Sequence, residues 1–160
     1  MGTHFDAMDK TFPLQLLELE GIVFDISHVL NRDVETSDLN LDLVQPGMFV
    51  ALYSGFIDKE KYGSKSYFQN HPQLSITCIE AFLEKDISII GIDFAGVRRG
   101  KEHTPMDQFC ADHDVFIVEN LCNLDKLLNH ANAPYFTANT YPLNYLGLTG
   151  IPCRVVAKIE

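Results

Sequence analysis

The chain of 160 residues has no tryptophan and only 12 basic residues against 22 acidic ones, a formal net charge of −10 at pH 7. Without a stripe of lysine or arginine to replace counterions, a nucleic-acid footprint is excluded. Its one basic cluster, Arg98-Arg99-Gly100-Lys101, is short and reads as a loop cap. No apolar run reaches membrane-spanning length and no secretory leader opens the sequence, so no membrane partner is expected. The four cysteines, Cys78, Cys110, Cys122 and Cys153, are widely spaced and form no Cys-x-x-Cys pair. That removes a zinc knuckle and fits reduced, mostly buried thiols in a cytoplasmic protein.

What is present is an apolar content of 46% in a length suited to one domain, here 1–160, with a proper hydrophobic core. Residues 21–26 and 48–53 are short apolar runs that predict buried strands, the second introduced by the turn signal Gln45-Pro46-Gly47. Residues 56–70 are polar, charged and aromatic, and predict a loop with a single helical turn. From Ser75 the apolar positions Ile76, Ile79, Phe82 and Leu83 recur with a helical period, closing near Lys85-Asp86. Residues 87–92 predict a strand ending at Asp93, residues 106–111 a short helix, and residues 115–118 a strand ending at Glu119. Strand and helix in alternation define a parallel α/β core, whose sites lie at the carboxyl ends of strands. The tail predicts two further strands, 135–145 and 154–159, joined through the turn at 147–152.

The N-terminus carries the densest chemistry. In Gly2-Thr3-His4-Phe5-Asp6, an extended backbone turns His4 and Asp6 to one face and Thr3 and Phe5 to the other. An imidazole and a carboxylate on one side can share a divalent cation. Asp25-x-Ser27-His28 has the composition of a nucleophile and base, but neighbours on a strand face apart. His71 precedes Pro72 and is therefore confined to an extended or turn geometry.

Taken in order, the segments Gly2-Thr3-His4-Phe5-Asp6-Ala7, His71-Pro72-Gln73-Leu74-Ser75, Gly91-Ile92-Asp93, Ile117-Val118-Glu119-Asn120-Leu121 and Leu146-Gly147-Leu148-Thr149-Gly150-Ile151-Pro152-Cys153-Arg154 resemble the cyclase family of metal-dependent hydrolases, which includes kynurenine formamidase and isatin hydrolase. The resemblance implies one swivelling β/β/α domain, α/β with a central sheet flanked by helices. It also implies a zinc or manganese cofactor, a small-molecule substrate with an amide or cyclic amide C–N bond, and a homo-oligomer, dimer or tetramer. The family pattern His-x-Gly-Thr-His-x-Asp-x-Pro-x-His would place its first histidine just before Met1, so a preceding segment is expected to be lacking. Its proline position is Met8 and its last histidine position is Lys10. A metal-binding glutamate matches Glu119, and the histidine twelve residues before it is replaced by Asp107.

The resemblance thus implies His4, Asp6 and Glu119 as metal ligands; at the departures, Asp107 is a further candidate ligand, and Lys10 with Glu119 are the candidate catalytic groups. Asp107 either replaces the imidazole as an oxygen ligand, or Lys10 supplies the charge of a second ion beside a one-metal site. His103 and His113 stand at other spacings and read as surface loop histidines. Phe5, Tyr53 and Phe94 are the candidate substrate-contacting residues. The competing reading is a non-catalytic metal- or small-molecule-binding homologue with a degenerate site.

Overall fold

The computed structural model describes residues 1–129 and 134–159. Among them seven strands close into a barrel: β1 (His4–Asp6), β2 (Glu18–Asp25), β3 (Phe49–Tyr53), β4 (Ile89–Ile92), β5 (Phe116–Glu119), β6 (Tyr135–Pro142) and β7 (Gly150–Lys158), in the order β1-β5-β4-β3-β2-β6-β7. The helices are α1 (Phe56–Lys59), α2 (Lys65–Asn70), α3 (Ile76–Glu84), α4 (His103–Asp112) and α5 (Asp125–Leu128).

β2, β3, β4 and β5 run parallel, which is the α/β core expected from the alternation of elements. The expected central sheet flanked by helices is corrected by the closure of that sheet. β6 lies antiparallel to β2 and β7, and β1 lies antiparallel to both β5 and β7. The short β1 is therefore the stave that closes the barrel. Residues 56–70 hold the expected single turn as α1 and exceed expectation by a second helix, α2. Ser64 starts α2 by accepting a hydrogen bond from the Tyr67 backbone N–H.

Two apolar cores follow from strand alternation. Val23, Phe49, Ala51, Ile89, Phe116, Val118 and Phe136 pack together in one cluster inside the barrel. Ile22, Val50, Leu52, Ile90, Ile92 and Ile117 face outward and pack with Ile79 and Phe82 of α3 and Cys110 of α4. Strands buried on both faces explain the unbroken apolar runs of β4 and β5. Arg98 bonds Asp33, Glu102 and the Leu74 carbonyl, so the basic cluster does pin a loop.

The barrel interior is filled by phenylalanine rings seated over glycines. A Cβ added at Gly91 would meet the Phe49 ring at 2.4 Å, and one at Gly21 would meet Phe136 at 2.6 Å. Gly91→Ala is expected to destabilise the fold by ~1–3 kcal/mol, the usual cost of overpacking a close-packed core. Urea titration checks this as a lower midpoint with an unchanged slope.

Candidate metal centre

The outward face of the barrel wall formed by β1 and β5 carries the polar cluster. In the antiparallel register His4 pairs with Glu119, so their side chains stand next to each other on the same face. Asp6 follows on that face, two residues along. His4 Nε2 lies 3.4 Å from Asp6 Oδ1 and 3.5 Å from Glu119 Oε2. His4 Nδ1 is 2.8 Å from the Gly2 carbonyl, which can only accept. In the neutral ring, Nδ1 therefore keeps the proton and Nε2 carries the lone pair available to a cation.

α4 packs on β5 and brings a second group to the other oxygen of the same glutamate. His103 Nε2 is 2.9 Å from Glu119 Oε1 and 3.1 Å from Asp107 Oδ2. His103 and Asp107 are four apart in sequence, one helical turn, and so share a face of α4. Gly96 makes room for this ring: a Cβ there would meet His103 Nε2 at 2.9 Å, and its φ of +111° suits glycine. His4, Asp6 and Glu119 form one triad and His103, Asp107 and Glu119 another, each with ligand atoms within 4.8 Å of one another.

These groups fit a bound cation. Asp6, Asp107 and Glu119 are all buried, and Asp6 Oδ2 and Asp107 Oδ1 have no hydrogen-bond partner. One uncompensated carboxylate oxygen in each triad is costly in a protein interior. A divalent ion on each side of Glu119 would relieve both. The donor set of one imidazole nitrogen and two carboxylates per triad suits zinc or manganese.

In the metal-free protein, protons stand in for that charge. Burial works to lower the His4 imidazole, but Asp6 and then Glu119 outweigh it and raise its pKa to about 9. Hydrogen bonds to Asp107 and then Glu119 raise His103 to about 10 against its burial. Burial pushes both Asp107 and Glu119 upward, partly opposed by His103.

The remaining sequence candidates lie elsewhere. Lys10 sits 2.8 Å from Asp112 and 3.2 Å from Asp9, half-exposed, and makes no ion pair with either triad among the described residues. Phe5 is fully buried inside the barrel, stacked on Phe116 and edge-on to Phe12. Phe94 is fully buried against the His71 ring. Tyr53 is half-buried at the end of β3. Asp93 accepts hydrogen bonds from Ser54 and Gly55 and so ties β4 to β3. His71 is buried, and its pKa falls to about 4 through desolvation. Asp25 caps the Ser27 backbone N–H in a turn.

His103 corrects the sequence reading, which took it for a surface histidine. The signal that finds it is its spacing of four from Asp107 on a helix, together with Gly96. His113 is exposed and bonds the Phe109 carbonyl, as a surface histidine should.

The fold is thus a closed seven-stranded barrel with a polar cluster on its outer wall, where β1, β5 and α4 meet. The model of the Cyclase family matches residues 1–98, and the chain belongs to that family. Among solved structures, isatin hydrolase A from Ralstonia solanacearum is similar at a TM-score of 0.81 and 19% identity, covering 99% of this chain and 72% of that one. An isatin hydrolase bound to the product analogue thioisatinate is similar at 0.79 and 23% identity, covering 98% and 70%. A structure described as a predicted metal-dependent hydrolase from Bacillus stearothermophilus is similar at 0.75 and 24% identity, covering 98% and 76%. At these identities the likeness establishes a shared fold. No curated protein sequence matches the chain.

Proposed function

We propose that the chain is a metal-dependent hydrolase acting on an amide or cyclic amide C–N bond of a small molecule. The observation that carries this reading is the pair of buried triads sharing Glu119, each with a carboxylate oxygen lacking a partner. Membership of the Cyclase family and the likeness to isatin hydrolases support it. His4, Asp6 and Glu119 would hold one ion, and His103, Asp107 and Glu119 a second. A divalent cation at such a site acts as a Lewis acid, lowering the pKa of water and polarising a carbonyl.

The protein's own groups set the geometry around that chemistry. Glu119 presents one oxygen to each triad and fixes their separation. His4 is oriented by its Nδ1 bond to Gly2. Asp107 Oδ1, buried and without a partner, is the oxygen that a cation at the α4 triad would satisfy. The Lys10 ammonium, held at the surface, has no part in this scheme. Phe5 and Phe94 are sealed in the core, and Tyr53 packs against the barrel-interior cluster, whereas both triads lie on the outer wall. Exposed Leu143, Tyr145, Leu146 and Leu148, between β6 and β7, support assembly with further copies of the chain.

The test is turnover of an N-formyl arylamine and of isatin by purified protein loaded with manganese or zinc. Hydrolysis lost to chelator and restored by either ion is expected. Firm metal binding without chelator-sensitive turnover would mark a non-catalytic binder, and absence of metal binding would remove the reading altogether.

Proton competition gives a second expected result. His4 and His103 are protonated in the metal-free protein at pH 7, since their pKa values are about 9 and 10. Each must be neutral to ligate, so binding releases a proton and affinity rises with pH up to those values. For each ion the change is ~10-fold per pH unit below them. Calorimetric titration in buffers of different ionisation enthalpy counts the protons released.

A further inference from the structure

The residue after the shared glutamate makes contacts that the metal chemistry does not account for. Asn120 is buried and sits in the left-handed region at φ +57°, a conformation asparagine tolerates better than most residues. All four of its polar groups are engaged. Its backbone N–H donates to the Phe94 carbonyl, and its carbonyl accepts from the Thr3 hydroxyl at 2.8 Å. Its Nδ2 donates to Glu119 Oε2 at 3.5 Å, while its Oδ1 accepts from the Tyr67 hydroxyl at 2.6 Å.

The orientation of that amide follows from its partners. A carboxylate only accepts, so the nitrogen must face Glu119, and the oxygen then faces the tyrosine O–H. Tyr67 is itself fully buried, and burial raises its pKa, so the hydroxyl keeps its proton and remains a donor. Phe56, Tyr62 and Phe68 pack around its ring. Tyr62 in turn bonds the carbonyl of Met1. Thr3 adjoins His4 and its carbonyl accepts from the Cys153 N–H. The aromatic segment 56–70, β1 and the end of β5 are thereby joined at one asparagine.

We propose that Asn120, held by Tyr67 and Thr3, is the positioning residue for the shared carboxylate. It fixes the Glu119 rotamer so that Oε2 serves the His4–Asp6 triad and Oε1 the His103–Asp107 triad. The weight of the effect falls on the first triad, because the amide touches Oε2. This inference rests on the metal reading of the cluster. Outer partners of this kind change metal affinity by ~10–100-fold when removed.

The experiment is competition of Tyr67→Phe and Asn120→Gly proteins against a chelator for Mn2+ and Zn2+, with the metal-free melting temperature recorded in parallel. Tyr67→Phe keeps the ring packing and Asn120→Gly keeps the backbone conformation, so each chiefly removes polar contacts. Weakening of one ion by ~10-fold or more, with the other less affected, is the expected result. Thr3→Ser should keep wild-type affinity and Thr3→Val should not. Tyr67→Phe and Asn120→Gly proteins that melt earlier but hold both ions as wild type does would overturn the proposal and reduce Asn120 to a structural residue. Wild-type protein that binds neither ion would instead overturn the metal reading on which it rests.

Discussion

Glu119→Gln protein should lose one divalent ion and hold the other more weakly. The substitution preserves side-chain volume but replaces one carboxylate oxygen by an amide NH2, which cannot ligate. Both oxygens of Glu119 are in use, Oε2 toward His4 and Oε1 toward His103, so whichever way the amide turns one triad loses its oxygen and the other keeps only a neutral carbonyl. The ion left without its oxygen should bind at least ~100-fold more weakly, since even outer partners of metal sites cost ~10–100-fold, and the other by a smaller factor. Metal-free stability is the necessary companion measurement, because Glu119 is buried. Metal analysis after dialysis, with chelator competition, reads the effect. Retention of one ion at full affinity would show that Glu119 serves a single triad, and retention of both would take it out of the centre.

The second large effect separates the two triads. His103→Ala should lower the stoichiometry from two ions per chain to one, because it removes the only nitrogen of the α4 triad. His113→Ala, ten residues further on and bonded to the Phe109 carbonyl, should leave two. Asp107→His would place a second imidazole beside His103 and should shift preference toward nitrogen-favouring ions such as zinc. His103→Ala protein that still binds two ions would leave Asp107 and Glu119 as sufficient ligands and return His103 to the surface role its spacing first suggested.

Local pattern carried much of the architecture. The apolar runs of β3, β4 and β5 and the helical stripe of α3 lie where periodicity puts them, because burial on both faces leaves continuous apolar sequence. Closure of the barrel was not legible. It depends on β1 pairing with β5 and β7, segments more than a hundred residues away, and no local period encodes such a contact. Beyond the one turn expected in residues 56–70, the helix α2 was missed because that segment has few apolar positions to repeat. In the site, strand alternation alone put His4 and Asp6 on one face. His103 was hidden by attention to a fixed spacing from Glu119, whereas a helix makes any residue one turn from Asp107 an equal candidate.

The place of β1 also has a consequence for the order of events during synthesis. His4 and Asp6 emerge from the ribosome more than a hundred residues ahead of Glu119, and their strand has no partner until β5 exists and is flanked on both sides only once β7 has followed. At roughly 5–20 residues per second, that leaves the two proposed ligands waiting several seconds for the glutamate that would complete their set. A cation captured early would be held by His4 and Asp6 alone, a weak pair exchangeable with any competing chelator in the cell. Commitment to an ion would therefore wait until Glu119 and the β7 stave have both been made.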